Sequence, residues 1–140
     1  MAKKRPPRQW TWAPAKTHKT AVPDQIKDEL DQKAAELVEK VLKPAYLKPP
    51  PENAEWNYPI DIWTKWQGSF FYFGSTWACP APNRIAPTFE ERFARMEYVG
   101  NGQFNLAYFR HTGKWFVIHT GLTLDDCLEM IGDGGPFTLV

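Results

Sequence analysis

Cysteine is scarce in this chain. The 140 residues include two, Cys79 and Cys127, far apart and without Cys-x-x-Cys spacing, which argues against a disulfide scaffold and a structural zinc site. Long apolar runs are missing as well, and nothing approaches the roughly 18 consecutive residues that a membrane span requires. Met1-Ala-Lys-Lys-Arg-Pro-Pro leads into no apolar signal-peptide core, so a cytoplasmic location is expected. The sequence has no Walker loop, no His-Glu-x-x-His and no Gly-x-Ser-x-Gly. Gly100-Asn101-Gly102 lies between strand-like segments with no helix after it, which makes it a hairpin turn and not a phosphate loop. No catalytic residue, metal ligand or cofactor is assigned, and an enzyme is the less favoured class.

Aromatic residues are abundant: seven Trp, five Tyr and nine Phe in a chain that is 43% hydrophobic and 24% charged. That is enough apolar surface for one core, and the length suits one domain with tails. The net charge of +1 hides an asymmetry, because residues 1–23 hold six basic residues and no acidic one, leaving 11 basic against 16 acidic residues elsewhere. With four prolines and few aliphatic side chains, residues 1–23 read as a flexible basic arm that cannot bury enough surface to order itself.

From Asp24 to Leu42, apolar Ile26, Leu30, Ala34, Leu37, Val38 and Val41 recur at helical spacing. Asp24 is the expected N-cap and Pro44 the expected stop. Five prolines in residues 43–59 suggest an extended linker. Residues 60–135 then form an antiparallel sheet and a C-terminal helix that share one domain with residues 24–42. Ile60–Trp66 and Ser69–Trp77 flank Gln67-Gly68 as a hairpin, and three prolines within Cys79–Pro87 end it. A three-stranded meander follows over Glu91–Val99, Gln103–His111 and Lys114–Thr120, with turns at Asn101-Gly102 and Thr112-Gly113. Thr88-Phe-Glu-Glu91 also fits a capping box opening a short helix, but the strand is preferred. Thr123 with Asp126 resembles a second capping box, which starts a helix from Leu124 to about Ile131. The fold class is therefore α+β: about five antiparallel strands, an N-terminal amphipathic helix and a short C-terminal helix.

Two-residue turns would place Val99 opposite Phe104, Arg95 opposite Tyr108, His111 opposite Lys114 and Leu106 opposite His119. One face would then collect Ala94, Met96, Tyr98, Ala107, Phe109, Phe116 and Ile118 as core. The other would collect Arg95, Glu97, Val99, Phe104, Leu106, Tyr108, Arg110, Trp115, Val117 and His119. A slip of one residue would exchange the faces. The candidate binding surface is Arg95, Tyr108, Arg110, Trp115 and His119, serving a non-catalytic module that meets an unidentified protein partner. His111 and His119 fall on opposite faces, which argues against a shared metal or acid–base role.

Two alternatives stand beside this reading. Lys3, Lys4, Arg5 and Arg8 could track phosphates while Trp10 and Trp12 stack on unpaired bases, although 16 acidic residues in the remainder oppose a polyanion. Docking of the two indoles onto the sheet is the preferred reading of the arm. A small enzyme with a distributed site would draw on Arg95, Glu97, Tyr108, Arg110 and His119.

Lys4-Arg-Pro-Pro-Arg8 with Trp10-x-Trp12, and Phe93-Ala-Arg-Met-Glu-Tyr-Val-Gly-Asn-Gly-Gln-Phe-Asn-Leu-Ala-Tyr108 continuing through Arg110-His-Thr-Gly-x-Trp115, resemble a small family of uncharacterised bacterial proteins. The resemblance covers most of the chain and implies a bacterial, cytoplasmic protein. It brings no activity, ligand or functional residue.

Overall fold

Five antiparallel strands follow one another across a single sheet in the order β1-β2-β3-β4-β5. They are β1 (Tyr58–Gln67), β2 (Phe70–Ala78), β3 (Thr88–Gly100), β4 (Gln103–Phe109) and β5 (Trp115–Thr123). Helix α1 (Asp24–Leu37) precedes the sheet, and α3 (Leu124–Asp133) follows it. The fold is α+β. These positions come from a computed structural model, which describes residues 20–139 apart from 51, 53 and 83. The basic arm lies outside the described residues except for 20–23, and so do Lys3, Lys4, Arg5, Arg8, Trp10 and Trp12.

Glycine and asparagine set the tight turns. Asn101 (φ 54°) and Gly102 (φ 72°) both take positive φ, as a two-residue turn matching the sheet twist requires. Gln67 pairs with Phe70, so the first hairpin turns on Gly68 and Ser69, one residue later than expected. Residues 88–91 are strand, which settles the competing helical reading. The longer β2–β3 loop is closed by Cys79 N–H donating to the Pro87 carbonyl at 2.8 Å.

Both helices pack on one side of the sheet. Phe71 and Phe73 of β2, Ala94, Met96 and Tyr98 of β3, and Phe104 and Leu106 of β4 meet Leu30, Ala34 and Val38 from the first helix. Cys127, Leu128 and Ile131 of α3 complete this core, as the spacing of α3 predicts. Thr123 caps α3, its hydroxyl accepting from Asp126 N–H at 3.1 Å. Lys33 Nζ stands 2.9 Å from both Asp125 and Glu29, linking α3 to α1, and these two hydrogen bonds hold its ammonium well above the usual lysine range.

The first helix departs from expectation at both ends. Pro23 occupies the N-cap with no side-chain cap, and Asp24 lies in the first turn. At the other end a π-helical turn (Val38–Leu42) leads into α2 (Lys43–Tyr46), so helix passes over Pro44. The wider turn is the reason: Lys43 N–H bonds to the Val38 carbonyl, five residues back, and Pro44 then sits in the first turn of α2, where its missing N–H costs nothing. The extra residue also rotates the apolar stripe, leaving Val41 exposed while Leu42 is buried. Lys43 pairs with Glu39 at 2.7 Å and Asp61 at 3.4 Å, tying this turn to β1; the Glu39 hydrogen bond is the main reason its pKa is raised.

Candidate functional site

Two bulges decide which side chains share a face. Gly100 pairs with Gln103 as a two-residue turn demands, but Tyr98, not Val99, stands opposite Phe104. Val99 is the extra residue, and it shifts all of β3 behind it by one relative to β4. Arg95 consequently opposes Ala107, while Tyr108 opposes Ala94. This corrects the expected faces: Phe104, Leu106 and Tyr108 join the helix side, and Ala107 and Phe109 leave it. The second bulge is Phe93, since Phe73 pairs with Ala94 and Gly74 with Arg92. It brings Arg92 and Arg95, three positions apart, onto the same face, where strict alternation would separate them.

The expected surface is therefore divided. Arg95 and Trp115 meet on the face against which no described helix packs. Tyr108 lies on the helix side, 5.6 Å from the Phe116 ring and 6.3 Å from Phe137. Arg110 stacks over Phe116 at 4.9 Å, away from Arg95. His119 is exposed opposite Leu106, at a step flanked by irregularities on both sides.

Four residues absent from the expected surface complete the helix-free face: Trp63, Phe70, Tyr72 and Arg92. Tyr72 directly opposes Arg95. The Trp115 indole reaches from β5 across β4 until its ring lies 5.7 Å from Tyr72. The Arg95 guanidinium is held 4.9 Å from the Phe70 ring and 4.9 Å from the Trp115 ring. Arg92 stacks over Tyr72 at 4.2 Å and donates to Gln67 Oε1 at 3.0 Å. Beside them the Trp63 indole covers Gly74, where a Cβ would overlap the ring, and its N–H donates to Thr76 Oγ1 at 3.1 Å. The Phe93-Ala94 pair between Arg92 and Arg95 was the available signal for Arg92, because two consecutive apolar residues in an alternating strand mark a bulge.

Glu97 and Glu90 share this face by register, but neither forms an ion pair with its arginines among the described residues. The ion pairs found among the described residues involve Lys33, Lys40 and Lys43, and none includes Arg92, Arg95 or Arg110. Arg95 Nε is buried and has no hydrogen-bond partner among the described residues. With Arg95 held against two rings, its free capacity is the N–H edge, which suits a carboxylate or phosphate oxygen. The helical layer is opposite in character: Asp24–Tyr46 and Leu124–Asp133 hold ten carboxylates and four lysines. Among the described residues no cluster of His, Cys, Asp and Glu could hold a metal ion.

Residues 22–136 match the model of a domain of unknown function, DUF3024. The chain belongs to that family. The match runs from just before α1 to the turn after α3, so the Arg95–Trp115 cluster lies within the DUF3024 domain. This bears out the resemblance to a family without an assigned activity. No curated protein and no solved structure matches the chain.

Proposed function

We propose that this DUF3024 protein is a non-catalytic binding module, and that the helix-free face of its sheet receives an acidic segment of a protein partner. The observation that carries this reading is Arg95, held against both Phe70 and Trp115 and without an ion pair among the described residues. Stacking fixes the guanidinium plane in advance, which lowers the entropy lost on binding an anion. Exposed apolar surface on Val117 and Phe109 adjoins the cluster and suits a segment that mixes carboxylates with apolar side chains.

Single-stranded nucleic acid suits this face less well. Stacking bases need open ring faces, and here Arg92 and Arg95 cover Tyr72, Phe70 and Trp115. The nucleic-acid alternative rests on Lys3 to Trp12, outside the described residues. The bacterial cytoplasm is the setting this reading assumes, and no described helix is long and apolar enough to cross a membrane.

The test is anisotropy of a labelled peptide of Asp, Glu and Leu, titrated with the full chain and with its Arg95→Ala/Trp115→Ala variant. A loss of at least about tenfold in affinity, roughly 1.4 kcal/mol, is expected with the fold intact. An isotherm unchanged by the double substitution would refute the surface.

A further inference from the structure

At the end of the sheet far from the Asn101-Gly102 turn lies a cleft of about 410 Å3, which adjoins the Arg95 cluster through Arg92 and Phe109. Trp77, Phe93 and Phe109 give it aromatic walls, while Glu91, Arg92, Arg110 and His111 bring charged and titratable groups to it, Arg92 being already stacked on Tyr72 and bonded to Gln67. The C-terminal segment after α3 closes another side through Leu139. This segment is anchored by buried Phe137, whose ring packs against Tyr108.

The groups around this cleft differ in how far they are already committed. The Trp77 indole N–H is spent on Ser75 Oγ at 2.9 Å, so Trp77 offers its ring and not a donor. The Arg110 guanidinium stacks on Phe116 and forms no ion pair among the described residues. The Arg110 backbone is fixed on both sides, its N–H donating to the Lys114 carbonyl and its carbonyl accepting from Gly113 N–H, each at 2.8 Å. The result is a guanidinium on a braced turn beside apolar walls, in a cleft within the size range of small-molecule sites.

We infer that this cleft is a second binding site, which takes a small aromatic carboxylate with its ring between the aromatic walls and its anion on Arg110. The carboxylate forms charge-assisted hydrogen bonds to the guanidinium. Glu91 offsets one of the two arginines that line the cleft, Arg92 and Arg110, which leaves one positive charge in excess and a monoanion preferred.

Benzoate is the probe and benzyl alcohol, uncharged and of similar size, is its control. Each is titrated into the full chain with amide and indole resonances followed. A fragment this small is expected to bind in the millimolar range. Saturable shifts at Trp77, His111 and Leu139, with benzyl alcohol and the Arg110→Gln variant each at least about fivefold weaker, would support the site. Equal binding of the two probes, equal binding by Arg110→Gln, or no saturable shift would overturn it. Shifts confined to Arg95 and Trp115 would also overturn it while leaving the acidic-segment reading of the sheet face standing.

Discussion

Arg95 of β3 and Trp115 of β5 meet across the intervening strand β4, on which Arg95 is paired with small, buried Ala107. The guanidinium is 4.9 Å from the Trp115 ring and equally far from the Phe70 ring. Such contacts are worth about 0.5–1 kcal/mol at partly exposed sites. An unfolding cycle of Arg95→Ala and Trp115→Ala is expected to give a coupling energy of about that size. Strict additivity would show that the stack contributes nothing.

Gly74 has an ordinary backbone conformation, and its side is filled by the Trp63 indole. Gly74→Ala is therefore expected to destabilise the protein by about 1–3 kcal/mol through overpacking. Denaturant midpoints would show the loss, and combining it with Trp63→Leu should recover part of it. Equal losses in the presence and absence of Trp63 would exclude the packing explanation.

Thr123 supplies the side-chain cap of α3. Thr123→Ala is expected to cost about 0.5–2 kcal/mol, and Thr123→Ser much less, because the serine hydroxyl can still accept from Asp126 N–H. Thermal melts of the two variants provide the comparison.

That cap was legible in the sequence because capping is local: the acceptor and donor lie three residues apart. The five strands were legible for the same reason, through alternation and turn residues. The faces were not. Val99 and Phe93 each add one residue to β3, and each moves side chains between faces at a distance from itself. Arg95 and Trp115 were assigned to one face through a pairing that placed Arg95 opposite Tyr108, and the structure keeps the two residues together while removing Tyr108 and Arg110. Phe70 and Tyr72 were missed because pairing between β2 and β3 spans a loop that no turn rule fixes. The π-helical turn before Pro44 also escaped, since helical spacing assumes an unchanged period across Val38–Leu42.

The two thiols should behave differently. Cys127 is fully buried against the core, and desolvation pushes its pKa up to about 12 from an ordinary value near 9. Native protein should expose one thiol to an aromatic disulfide reagent, Cys79, and a second only on unfolding. The folded state keeps a proton on Cys127 that the unfolded chain releases. Its contribution to stability is complete below about pH 9 and is lost as pH rises toward 12. Between pH 9 and 10, stability should fall more steeply in the native sequence than in Cys127→Ala, which shares every other titrating group. Parallel slopes would contradict this assignment.

The most direct measurement of the binding account is a map of resonance changes across the full chain as the acidic peptide is added. The largest changes are expected at the Trp115 indole and the Arg95 side chain, with smaller ones at Phe70 and Tyr72 and none along α1. Changes confined to α1 and α3, with Arg95 and Trp115 unmoved at saturation, would contradict the account.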